Sequence, residues 1–216
     1  MRVRPVTPAA LLDELAERID GLAERIDGSP AGRRLRVGVD GAPPAEPAEL
    51  ADGIADRLRV LGRAAVSIRA ADFLRPASLR LEYGRNDPDA FYDDWLDVKG
   101  LSREVLDPLG PGGSGRVLPS LWDARADRAT RAGYLTVPPG GVVLVSGWLL
   151  LGRGLAFDLT VHLSLGPAAL ERRTDPAWRW TLPAYDRYEA EVGPARVADV
   201  VVRVDDPRRP ALVEDA

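Results

Sequence analysis

Between residues 8 and 27 apolar side chains recur at three- and four-residue steps, through Leu11, Leu15, Ile19, Leu22 and Ile26. This spacing predicts an amphipathic helix with one apolar stripe. Pro8 suits its first turn, and Gly28 can close it. The heptad LAERIDG occurs twice in succession, at 15–21 and 22–28. Two heptads interrupted by Gly21 are too short for a coiled-coil seam, so the stripe is expected to dock on the rest of the chain.

The pattern then changes. Residues 34–40 (RLRVGVD) read as a buried strand, 41–47 as a Gly/Pro/Ala loop, and 48–61 as a helix with Leu50, Ile54, Leu58 and Leu61 on one side. A second strand is expected at 64–69. Residues 71–84 are loop-rich, and 88–97 and 101–109 suit short helices. GPGGSG at 110–115 is a flexible loop. GVVLVS at 141–146 reads as a strand buried on both faces, followed by a strand at 157–163, a helix from Pro167 and a last strand at 198–204. Five strands alternating with helices predict an α/β fold with a mostly parallel five-stranded sheet. The expected organisation is an N-terminal helix over 1–30 and one domain over 31–216.

Composition narrows the chemistry. The 216 residues carry a net charge of -4, with no Cys and a single His, His162. The mild acidity argues against nucleic acid as a partner. Thiolate chemistry, disulfides and a His-based zinc site are excluded. Of 29 Lys and Arg residues only Lys99 is a lysine. No run reaches the ~18–20 apolar residues of a membrane span, and the first residues lack the apolar core of a signal peptide. A cytoplasmic protein without a membrane partner is the expectation; a homo-oligomer stays open.

A strand, a Gly-containing loop and a helix form the layout of a phosphate-binding loop, GxxxxGK[ST]. There the backbone N–H groups wrap phosphates, the Lys neutralises oxygens and the hydroxyl holds Mg²⁺. The eight residues from Gly41 are Gly-Ala-Pro-Pro-Ala-Glu-Pro-Ala. Glu46 stands in place of the second Gly, Pro47 in place of Lys, and Ala48 in place of Ser/Thr. Pro43, Pro44 and Pro47 remove three donors. On these residues alone, tight triphosphate binding is not expected.

Past this loop, several segments in order resemble the uridine kinase/phosphoribulokinase branch of the P-loop kinases. They are Asp72-Phe73-Leu74-Arg75, the stretch from Asn86 to Asp93, and Leu121-Trp122-Asp123, followed by Val142 to Gly147. Asp158 to Leu163 with Glu171-Arg172-Arg173, then Pro183-Ala184-Tyr185 and Ala198-Asp199-Val200-Val201, complete the series. The resemblance implies a P-loop kinase fold. It also implies a nucleoside-like acceptor phosphorylated at a sugar 5′-hydroxyl, with ATP or GTP and Mg²⁺ as cofactors. Ser146 departs from it, standing where the family has a strand-end carboxylate.

On that resemblance Asp72 is the candidate base, although alignment on Phe73 and Arg75 places Ala71 there. Gly41, Arg172 and Arg173 are candidate phosphate contacts, with a solvated helix end as the competing account for the two arginines. Arg75, Asn86, Asp87, Trp122, Asp123 and Arg128 are the candidate acceptor-binding residues, with Trp122 as a stacking surface. Asp87 before Pro88 also has the form of a helix N-cap. Trp178 and Trp180 are expected in packing, and Arg179 at the surface. Asp93, Asp94 and Asp97 suit a solvated helix face better than a metal cluster. His162 is expected as a satisfied core imidazole. Two functions stay open: a uridine/nucleoside kinase-like enzyme, or an inactive pseudokinase that binds a small ligand or a protein.

Overall fold

A computed structural model describes residues 2–27 and 33–214. The sheet strands are β1 (Arg2–Pro5), β2 (Leu35–Gly41), β3 (Ala65–Arg69), β4 (Val142–Gly147), β5 (Leu159–Ser164), β6 (Val200–Arg203) and β7 (Ala211–Glu214). The principal helices are α1 (Pro8–Asp27), α2 (Pro47–Val60), α3 (Pro88–Asp93), α4 (Pro167–Arg173) and α5 (Leu182–Glu191). The spatial order is β1-β7-β6-β5-β2-β4-β3. The five expected strands form the parallel part of this sheet, and β1 and β7 add an antiparallel edge. Both strands are only four residues long, Arg-Val-Arg-Pro and Ala-Leu-Val-Glu, so no long apolar run announces them. Arg4 ties them together, donating to Glu214 at 2.7 Å and Glu14 at 2.6 Å.

β2, first of the parallel strands in the chain, lies at their centre, flanked by β4 and β5. The chain reverses its order of addition there, so a crevice opens beyond the carboxyl ends of β2, β4 and β5. Register places Asp40 opposite Gly147 on one side and His162 on the other. All six residues of β4 are buried, as its continuous apolar run implies. Val142 and Leu144 pack on one face with α1 and α2, while Val143 and Val145 face Ile68, Phe73, Leu106 and Leu150 on the other.

The α1 stripe is a docking surface: Leu11, Leu15, Ile19 and Ala23 are buried in the same core as Ile54 and Leu58 of α2. The two helices approach closely at Gly53, where a Cβ would stand 2.8 Å from Leu12. Gly28 and the side chain of Ile26 lie outside the described residues. Leu61, expected on the apolar side of α2, is 52% exposed, because the helix closes at Val60 and the chain turns away at Gly62 with φ 85°. The helix expected over 88–97 ends at Asp93. The one expected over 101–109 breaks into a wide turn at Ser102–Leu106 and a tight turn at Asp107–Leu109 carrying Pro108. Among the described residues no helix is long and apolar enough to cross a membrane.

Candidate functional site

The loop after β2 takes its shape from its prolines. Pro43–Ala45 form a single tight helical turn, with Ala45 N–H bonded to Ala42 O at 2.7 Å and Glu46 N–H to Pro43 O at 3.0 Å. Pro43, Pro44 and Pro47 have no N–H to offer. Two of the remaining amides are thus spent inside the turn. Glu46 holds φ 61° and ψ 48°, a left-handed conformation unfavourable for a residue with a Cβ. Gly41 ends β2 where a Cβ would meet that of Leu163 at 2.9 Å, so close strand packing accounts for this glycine.

Beside this turn lies a cleft of about 580 Å³, whose lining includes Pro43, Pro44, Phe91, Trp95, Trp148, Trp178 and Tyr185, with Arg80, Arg125 and Arg173. Phe91, within the short α3, anchors the aromatic wall. Its ring lies 5.1 Å from Trp95, 5.8 Å from Trp148 and 5.6 Å from Trp180. Asp87 caps α3 by accepting from Ala90 N–H at 2.7 Å, so the cap reading of Asp87 describes its local geometry. Trp178 stacks on Trp180 at 5.9 Å and remains 49% exposed. Both tryptophans therefore pack, as expected, but Trp178 packs at the cleft.

The charge of the cleft is cationic. Arg80 is buried over the face of Trp95 at 5.2 Å, donates to Arg75 O at 2.6 Å, and stands 3.8 Å from the nearest carboxylate oxygen, on Asp127. Burial pushes its guanidinium below the usual arginine range, against the pull of Asp127. Arg173 donates to Val204 O at 2.7 Å and stands 3.9 Å from Glu46. The one acid in the lining, Asp175, accepts from Ala177 N–H at 2.8 Å. A planar apolar group bearing an acidic substituent matches this surface.

The other expected site residues are dispersed. Arg172 is exposed on α4, with one long 3.5 Å contact to Ala168 O. Arg75 pairs with Asp94 at 2.8 Å. Asn86 is exposed in the turn before α3. Trp122 is half-buried and donates Nε1 to Asp127 at 3.1 Å. Asp123 accepts from Ala126 and Arg125 backbone amides, which hold its carboxyl below the ordinary range. It meets Arg128 in a separate shallow cavity of about 540 Å³. Asp72 sits in the turn after β3, where burial raises its carboxyl above the ordinary range; Arg69 opposes this and Asp123 adds to it. Asp93 pairs with Arg187, and Asp97 caps the turn at Gly100.

The expectation for His162 captures half of its setting. The imidazole is satisfied on one side only: Nδ1 lies 2.7 Å from Asp40 Oδ2, and the ring also lines a cavity. Asp40 is fully buried. The sequence carries a signal for this pair, a carboxylate in an otherwise apolar strand, which needs a buried partner.

No family model matches the chain, and no curated protein does. Solved structures do. A possible uridine kinase from Bacillus stearothermophilus is 23% identical over 87% of this chain and 98% of its own, with a TM-score of 0.63. The fold is uridine kinase-like. D-glycerate 3-kinase from Cryptococcus neoformans var. grubii aligns over 85% of this chain and 80% of its own, at 16% identity and a TM-score of 0.51. The uridine kinase-like fold thus houses two separate features here, a proline-shaped turn after β2 and an aromatic, arginine-rimmed cleft next to it.

Proposed function

We propose that this protein is a small-ligand-binding pseudokinase, a uridine kinase-like fold that has lost its phosphate grip and holds a ligand in its aromatic cleft. The observation that carries this reading is the Pro43–Ala45 turn, where Pro43 and Pro44 lack N–H groups and the Ala45 and Glu46 N–H groups donate to the carbonyls of Ala42 and Pro43. A triphosphate needs several converging N–H donors, a lysine and a hydroxyl ligand for Mg²⁺. Pro47 and Ala48 supply neither side chain, Ser146 supplies no charge at the β4 end, and Glu46 adds a negative one. The cleft supports retention of a ligand: its aromatic walls and three guanidinium groups suit a planar molecule with an acidic group.

Titration with Mg·ATP, read by thermal unfolding, tests this. A ligand at about a hundred times its Kd stabilises by about 2.7 kcal/mol. No upward shift beyond that given by AMP, which lacks the β- and γ-phosphates the loop would grip, is expected at millimolar Mg·ATP; a saturable shift with Mg·ATP that AMP does not reproduce overturns the reading. Replacing Glu46, Pro47 and Ala48 by Gly, Lys and Ser is expected to leave the protein silent, because Pro43 and Pro44 still lack donors. Adding Pro43→Gly and Pro44→Gly restores the amides. The kinase reading has one observation in its favour, the raised carboxyl of Asp72, the group expected to act as base. Phosphoryl transfer from ATP to a nucleoside, abolished by Asp72→Asn, would establish it.

A further inference from the structure

Tyr185 lines a second cavity as well as the aromatic cleft. This cavity encloses about 350 Å³, room for roughly ten waters at ~30 Å³ each. Its polar lining is Asp40, His162, Ser164, Tyr185, Asp186, Tyr188 and Glu189, and neither Arg nor Lys contributes to it. The cavity is therefore rich in acceptors and poor in cations.

Its floor is a built network. Asp40 Oδ1 accepts from Leu150 N–H at 2.8 Å, and Oδ2 accepts from Tyr188 OH at 3.2 Å and faces His162 Nδ1 at 2.7 Å. Tyr188 OH in turn accepts from Leu151 N–H at 2.9 Å. The turn that delivers these two amides holds Leu149 at φ 56°, a strained backbone for a branched side chain. A carboxylate only accepts, so the proton on the His–Asp contact belongs to Nδ1; in the neutral imidazole Nε2 then offers a lone pair. His162 is more than nine-tenths buried, and Nε2 has no hydrogen-bond partner among the described residues. The Tyr185 hydroxyl is likewise buried and unpartnered. Asp186 and Glu189 lie one turn apart on α5, and neither forms a salt bridge or side-chain hydrogen bond among the described residues. Asp40 is already engaged by His162 and feels the charge of Arg153, but the carboxylates of Asp186 and Glu189 have no cation paired with them among the described residues, so they repel an anion and attract an ammonium group.

We propose that this cavity binds a small organic amine, its ammonium group between Asp186 and Glu189 and a second donor, N–H or O–H, on His162 Nε2. The site does not depend on the pseudokinase reading, because the turn at 43–48 contributes nothing to it.

The chain has a single histidine, so its imidazole signals need no assignment. The experiment titrates ¹⁵N-histidine-labelled protein in phosphate buffer with ethanolamine and with putrescine. Glycerol and glycolate serve as a neutral and an anionic control. At least one amine is expected to shift the His162 ring signals saturably, with both controls weaker. Asp186→Asn and Glu189→Gln are surface changes that leave the fold intact, and each is expected to weaken amine binding by up to about fivefold. Failure of both amines to shift the signals overturns the proposal. So does a control that binds as well as the amines, or an affinity unchanged in the Asp186→Asn/Glu189→Gln double variant.

Discussion

Replacing Glu46 by glycine should stabilise the protein, although it removes the side chain at the N-cap of α2. Glu46 holds φ 61° and ψ 48°, and its side chain makes no capping hydrogen bond to α2. A left-handed conformation costs a residue with a Cβ about 1–2 kcal/mol. Glycine relieves that cost and loses about 0.5–1 kcal/mol through the greater freedom of its unfolded chain. The contact to Arg173 is long, at 3.9 Å, and the Glu46 side chain is 57% exposed, so its loss changes little. The net gain is about 0.5–1 kcal/mol, equivalent to a rise in Tm of about 1–4 °C for a chain of this length. Urea unfolding at constant m-value measures it. Glu46→Ala is the control: it keeps the Cβ and the strain, so its stability should match that of the unaltered protein. If alanine stabilises as much as glycine, or glycine destabilises, the strained turn is not where the energy lies, and the account of this loop fails.

Three further outcomes are expected. Asp158 joins the starts of β2 and β5 by accepting from Arg36 Nε and Nη2, both at 2.9 Å, from Arg36 N–H at 3.0 Å and from Arg33 at 2.7 Å. Burial acts to raise its carboxyl, but the Arg36 hydrogen bonds outweigh this and hold it below the ordinary range. Asp158→Asn should cost about 3 kcal/mol near neutrality by leaving Arg36 uncompensated. A lowered carboxyl stabilises above its unfolded value of about 3.9 and loses that contribution as pH falls through the folded value. The difference between variant and parent in urea melts should therefore shrink in strong acid; a gap that widens there contradicts the ion-pair account. Phe91→Ala removes the hub of the aromatic cluster and should cost about 3–5 kcal/mol by calorimetry; a loss below about 1 kcal/mol would place the cluster outside the cooperative core. Tyr188→Phe strips the Leu151 amide of its acceptor and Asp40 of a donor, so a loss of about 2 kcal/mol is expected in urea unfolding, and none if that network is not formed.

Of the candidate site, the sequence made legible what depends on residue type alone. Prolines at 43, 44 and 47 lack N–H groups in any conformation, and Asp87 before Pro88 caps a helix by local geometry. It did not reveal the cleft. Phe91, Trp95, Trp148 and Trp178 are separated by up to 87 residues (178 − 91) and share no periodicity. Arg80 falls in a loop-rich stretch, and its burial over Trp95 follows from the packing of segments distant in the chain.

The five strands of the parallel sheet and the docking stripe of α1 were set locally, by apolar runs of strand length and a 3.6-residue repeat, since each pattern can bury its surface in only one way. The partnership of Asp40 with His162 was not, because 122 residues separate them and only the parallel register of β2 and β5 brings them opposite. The short antiparallel strands β1 and β7 depend likewise on each other across 210 residues, as the Arg4–Glu214 contact shows. Local spacing determines which face of an element is apolar; which elements meet, and so which polar groups share a cavity, is decided only when the sheet assembles.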